Sequence, residues 1–214
     1  MDKKKFPLWS KAVAAVFLCF LAYAIFTTVT GIPHTLRDDP RWLEWHVEAR
    51  SVEEAEALFG DGLLLRQFAE SGCRNVRYSL ELTDDGSTIE DRDKWVMLDA
   101  VCYGDGVFST LKVYFDGLPH AVRRAFEADT ITETGSVVID GTTVDYALDA
   151  SGVYPGVPNI LMALFRYGGN DFSFSCDCTG LISDARDEAQ AREGIQVAWD
   201  ALHHLLSSHA PPAP

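Results

Sequence analysis

Cys176-Asp177-Cys178 is the densest reactive chemistry in this 214-residue chain. In an extended strand, residues two apart point to the same face, so both sulfurs would face one way. A bridge inside so short a motif closes a small, strained ring. Each sulfur is therefore expected to reach a different partner, and Cys73 and Cys102 are the available ones. Four cysteines in an oxidising compartment read as two disulfides, with three connectivities. Free thiols, a four-cysteine zinc site and a redox-active C-x-C, whose strained bridge would be easily reduced, are the alternatives. Zinc ligands usually come as paired C-x(2 to 4)-C, whereas this chain has one C-x-C and two isolated cysteines, so no metal ligand is assigned.

The remaining candidates are weaker. His203 and His204 are adjacent and would point about 100° apart on a helix, and no H-x-x-x-H spacing occurs. No G-x-S-x-G elbow is present, which leaves Ser173 and Ser175 as outward strand hydroxyls. Asp145 and Asp149 flank Tyr146 and would share one side of a strand, where a carboxylate pair serves acid–base or cation chemistry. The acidic stretch DDGSTIEDRDK lacks the D-x-D-x-D-G order of a calcium loop and reads as a solvated connection. The loop GVYPGVPN, with Tyr154 between two turns, is the best placed for ligand contact. No catalytic residue and no cofactor are assigned.

These groups must be positioned by whatever follows the N-terminus. Lys3, Lys4, Lys5 and Lys11 precede Ala12–Val29, which carries no charge. A helix of that length is roughly 27 Å long, close to the thickness of a bilayer's hydrocarbon core. Ala22-Tyr23-Ala24 offers a signal-peptidase site, but the apolar run continues through Ile25 and Phe26. The reading adopted is an uncleaved transmembrane anchor at 12–29, and secretion after cleavage is the alternative. Basic residues stay cytoplasmic, so residues 1–11 are expected inside and the rest outside. Cys19 lacks the small residue that precedes an acylated cysteine and reads as lipid-facing.

Beyond residue 30 the chain carries 14 basic and 31 acidic residues, a net charge of −17. Nucleic acid and anionic lipid are excluded as partners of such a surface, because both require positive potential. Such a surface is commonly just a solubility device; beside the membrane, through residues 12–29, the partners that fit it are a basic protein, a cell-wall cation or calcium.

The periodicities then give the elements. Residues 30–50 read as a juxtamembrane linker, although Leu43, Trp45, Val47 and Ala49 alternate as in a strand while Trp42 and Trp45 suit a helix. Ser51 with Glu54 forms a capping box that starts a helix near residue 52, Gly60-Asp61-Gly62 breaks it, and LLLRQFAESG reads as a second helical segment closed by Gly72. NVRYSLEL, WVMLDAVCY and VFSTLKVYF read as strands, and LPHAVRRAFEA as a helix with Ala121, Val122, Ala125 and Phe126 on one side. Asp140-Gly141 and Gly168-Gly169-Asn170 mark two hairpins. A long final helix, capped by Ser183 or Asp184, carries Ile195, Ala198, Trp199, Leu202 and Leu206 on one stripe, and a proline-rich tail at 209–214 follows as a disordered end.

Hairpin-connected strands between helices predict one α+β domain over 51–208, an antiparallel sheet with helices packed on it. The layout suits a bacterial surface protein. It leads to the expectation of a non-catalytic extracytoplasmic binding or regulatory module. A membrane-tethered immunity-type inhibitor of a basic toxin and an extracytoplasmic thiol oxidoreductase using Cys176 and Cys178 are the alternatives.

Overall fold

The computed structural model describes residues 46–72, 75–83, 89–104, 106–152, 154, 156–183 and 188–207. The apolar run at 12–29, both of its flanks, Cys19, Cys73 and the tail from 208 lie outside the described residues. Among the described residues no helix is long and apolar enough to cross a membrane.

Eight antiparallel strands form one sheet in the order β1-β2-β3-β4-β8-β7-β6-β5. They are β1 His46–Ala49, β2 Asn75–Leu82, β3 Trp95–Tyr103, β4 Phe108–Tyr114, β5 Ile131–Ile139, β6 Thr142–Asp149, β7 Ile160–Tyr167 and β8 Asn170–Asp177. The helices are α1 Val52–Phe59, α2 Leu65–Glu70, α3 His120–Ala125, α4 Thr179–Ser183 and α5 Glu188–Ser207, with a 3-10 turn at Arg92–Lys94. Two meanders, β1 to β4 and β5 to β8, meet where β4 pairs with β8. The domain is α+β, as its alternating hydrophobic pattern requires.

Local chemistry explains each boundary. Glu54 N–H donates to Ser51 Oγ at 3.2 Å and Glu54 Oε2 accepts from Arg50 N–H at 2.9 Å, so the capping box opens α1. Gly60, at φ 98°, ends it. In the β5–β6 hairpin Asp140 and Gly141 have φ of 46° and 82°, the double positive φ that a two-residue type I′ turn requires. Tyr167 pairs directly with Asn170, so the β7–β8 turn is Gly168-Gly169 and Asn170 already belongs to β8.

Three expectations need correction. His46–Ala49, read within the linker, forms β1 and pairs with β2, because Val47 and Ala49 place their side chains on the apolar face opposite Leu80 and Tyr78. On α3, Ala121 and Ala125 are exposed and only Val122 and Phe126 are half-buried, so its apolar side is not a core stripe. Of the two caps expected for the long helix, Asp184 lies outside the described residues, and Ser183 belongs to another helix. It ends α4, a short helix that five residues without periodicity could not announce.

The core lies on one sheet face, under α1, α2 and α5. One row across it reads Ala49, Tyr78, Ala100, Leu111, Phe174, Ala163, Tyr146, Gly135, in direct cross-strand register. Small residues flank the tyrosines, and the spacing is tight: a Cβ on Gly135 would lie 2.8 Å from the Tyr146 hydroxyl. Trp199 of α5 meets Tyr146 edge-on at 4.9 Å, and Phe59 of α1 meets Trp95 edge-on at 6.2 Å. These contacts hold the helices to that face.

Tyr78 carries a cost within this core. It is 1% exposed and its hydroxyl has no hydrogen-bond partner among the described residues. Burial pushes its phenol up to about 12 from an ordinary 10. The folded state therefore holds a proton that the unfolded chain loses above pH 10. Its contribution is complete below pH 10 and falls by about 2–3 kcal/mol as pH rises to 12. Tyr78→Phe is expected to raise the unfolding free energy at neutral pH by about 1 kcal/mol, by removing an unsatisfied buried hydroxyl. It should also flatten the alkaline loss, and denaturant titrations at pH 8 and pH 11 read both effects.

Candidate functional site

Two arrangements on opposite faces of the sheet hold the groups that could act. On the core face, Val76, Cys102, Ser109, Cys176, Leu161 and Leu148 form one row across six strands. Cys176 ends the buried series Phe172, Phe174, Cys176 of β8, and Cys178 follows two positions later on the same side. Both thiols are free and their sulfurs are 3.9 Å apart. Ser109 Oγ–H donates to Cys176 Sγ at 3.3 Å.

This geometry changes the expected pairing. Cys102 and Cys176 share a row, but β4 lies between their strands, which puts them about 9.5 Å apart. A disulfide needs Cα atoms within about 7 Å, so these two cannot bridge. Ser109 occupies the intervening place. Cys73 lies outside the described residues, and Cys102 is 3% exposed.

The thiols differ electrostatically. Hydrogen bonds from the Cys178 thiol and from Ser109 hold Cys176 below the ordinary thiol range, against the opposing effect of burial. The same contact with Cys176, together with burial and the neighbouring charge, pushes Cys178 up. Cys176 is thus the member that ionises first. Among the described residues no group of three or more His, Cys, Asp and Glu side chains could hold a metal.

The end of β8 is held by a dense polar and glycine cluster. Asn159, 2% exposed, accepts from Cys178 N–H through its backbone carbonyl at 2.8 Å, and its side-chain amide donates to Thr179 Oγ1 at 2.8 Å. Asn159 Oδ1 has no hydrogen-bond partner among the described residues. Thr179 N–H donates to Asp177 Oδ1 at 2.7 Å, and Leu181 N–H to Gly106 carbonyl oxygen at 3.2 Å. Gly180 lies so close to the β3–β4 turn that a Cβ on it would be 2.6 Å from Gly106 oxygen. Sequence reasoning singled out neither Ser109 nor Asn159. Ser109 was legible, since it alternates with Leu111 and Val113 on the apolar side of β4. Asn159 sits before a strand, where no periodicity marks it.

The second face is different in kind. A complete row runs Glu48, Ser79, Asp99, Lys112, Ser173, Leu164, Asp145, Ser136 across all eight strands, and none of these side chains is buried. Thr110 and Ser175 hydroxyls share a hydrogen bond at 2.9 Å, as do Tyr114 and Ser173 at 3.3 Å. Ser173 and Ser175 therefore point outward, as expected. Lys112 Nζ pairs with Asp99 Oδ2 at 3.5 Å, and Asp99 Oδ1 has no hydrogen-bond partner among the described residues. Its charged residues are mostly acids, Glu48, Glu81, Asp99, Asp145, Asp149, Asp171 and Asp177 against Arg77, Lys112 and Arg166, and the apolar Met97, Ala147, Met162 and Leu164 lie between them.

Asp145 and Asp149 do share this face, but four residues of strand separate them by about 13 Å. Ser136 donates to Asp145, and Ser151 N–H donates to Asp149 Oδ1 at 2.8 Å. They do not form a carboxylate pair. His203 and His204 are exposed on α5. Tyr154 is half-buried and packs against the core.

The arrangement thus offers a sealed thiol pair and an acidic, hydroxyl-rich face that is half-buried at its centre. No protein-family model matches the sequence, and neither a curated protein nor a solved structure shows detectable similarity to it.

Proposed function

We propose that this chain is a non-catalytic binding or regulatory module, held at the outer side of a membrane by residues 12–29, whose acidic sheet face takes a basic protein partner. The observation that carries this reading is the second face. It is rich in carboxylates and hydroxyls, exposed at Glu48, Asp145 and Ser136 and half-buried at its centre, while helices cover the other face. A net charge of −17 beyond residue 30 extends the same sign over the rest of the exported part and would steer a cationic partner toward it. A tethered inhibitor of a basic toxin is the narrower form of the same reading. Burial of both C-x-C sulfurs at 0% exposure weighs against the thiol oxidoreductase alternative, since a catalytic thiol must meet its substrate. A Cys73–Cys102 bridge fits the reading: Cys102 pairs with Val76, only three residues after Cys73 in sequence.

The detergent-solubilised full chain, immobilised and exposed to an extracytoplasmic fraction, is the test. The expected result is capture of a basic protein whose affinity falls steeply with added salt. Reversing Asp99, Asp145 and Asp171 to lysine should weaken that binding at least tenfold, about 1.4 kcal/mol or more. Binding that ignores both salt and these substitutions would refute the proposed face.

A further inference from the structure

We propose that Cys176 and Cys178 are a site of reversible oxidation, closing on each other into a C-x-C disulfide. The sequence alone argues for other partners, but the register removes Cys102 by placing β4 between it and Cys176. Among the described residues the sulfur within reach of Cys176 is that of Cys178, 3.9 Å away on the same side of the strand. A contact distance already exists, so bond formation needs side-chain rotation and local strand adjustment, not rearrangement of the sheet.

The step balances through thiol–disulfide exchange. Ser109 Oγ–H, 3.3 Å from Cys176 Sγ, favours the Cys176 thiolate, which attacks one sulfur of a small disulfide such as oxidised glutathione. One glutathione thiol leaves and a mixed disulfide forms on Cys176. Cys178, once deprotonated, attacks the Cys176 sulfur and expels the second glutathione thiol. The pair loses two electrons and two protons, and one oxidised glutathione becomes two reduced ones.

Two features set the behaviour of the site. Both cysteines are 0% exposed, so exchange waits for local opening of the segments that cover them. An extended strand separates residues two apart by about 6.6 Å between Cα atoms, at the upper end of what a disulfide spans. The bond is consequently strained and more readily reduced than an ordinary structural disulfide. Oxidation and reduction would switch the joint between β8 and α4, where Cys178 N–H is bonded to Asn159 and Thr179 N–H to Asp177. This holds whether or not the acidic face binds a basic partner.

The reduced full chain in detergent, incubated with oxidised glutathione at several urea concentrations below its unfolding midpoint, tests the site. After denaturation and alkylation, peptide mass spectrometry reads the state of each cysteine. The expected result is loss of two alkylatable thiols, with one peptide carrying both Cys176 and Cys178 lighter by two hydrogens. The rate should rise with urea, and Cys178→Ser should stop the reaction at a glutathione adduct on Cys176. Two outcomes would overturn the proposal. One is that both thiols are alkylated in full after urea conditions that expose them to the oxidant. The other is that either sulfur is bridged to Cys73 or Cys102.

Discussion

Replacing Phe174 by alanine is expected to lower the unfolding free energy by about 3–5 kcal/mol. Phe174 is 1% exposed at the centre of β8, between Leu111 of β4 and Ala163 of β7. The small neighbour on one side cannot close the space that the ring vacates, and Leu111, itself fully buried, has little freedom to lean across. Such a loss is a large share of the roughly 5–15 kcal/mol that holds a domain together. It also falls at the seam between the two meanders, where β4 pairs with β8. The melting temperature should drop by about 10 °C. A drop of less than a third of that would mean that the β4–β8 seam is not where the sheet is held.

Gly180→Val is the second large effect. The glycine is exposed, so burial alone would call the change harmless. Its missing Cβ would meet the oxygen, Cα and carbonyl carbon of Gly106 at 2.6, 2.7 and 2.9 Å, and those are backbone atoms. Backbone cannot rotate away, so α4 and the β3–β4 turn must separate. That breaks the Leu181 N–H to Gly106 bond and costs about 1–3 kcal/mol or more. The displaced segment directly follows Cys178, so alkylation of Cys178 in the folded chain should become at least tenfold faster. Gly141→Ala, which meets nothing within 4 Å but sits at φ 82°, is a useful contrast. It should destabilise by local strain without changing thiol labelling.

How much of this was legible depended on the range of the interaction responsible. Strand β2 follows from alternation, β3 from a buried apolar run, and β5 to β8 from the turns at Asp140-Gly141 and Gly168-Gly169, so local rules sufficed, although β5 begins at Ile131, ahead of the β-branched run that marks it. The strand at His46–Ala49 could not be separated from a helix, because four residues carry too little periodicity and the decisive pairing with β2 is non-local. The cysteines show the same limit. That Cys176 and Cys178 share a face follows from strand geometry. That Ser109 stands between Cys176 and Cys102 depends on strand order, which places β8 rather than β5 beside β4. The acidic face was legible only as a net charge, since its position required knowing which of two faces the helices cover.

The location proposed for this domain is tested most directly by protease accessibility in spheroplasts of a bacterium expressing the full chain. The expected result is that external protease digests the domain while the cells stay intact, leaving a membrane-bound fragment that still begins at Met1. A domain that resists protease until the cells are lysed would contradict it.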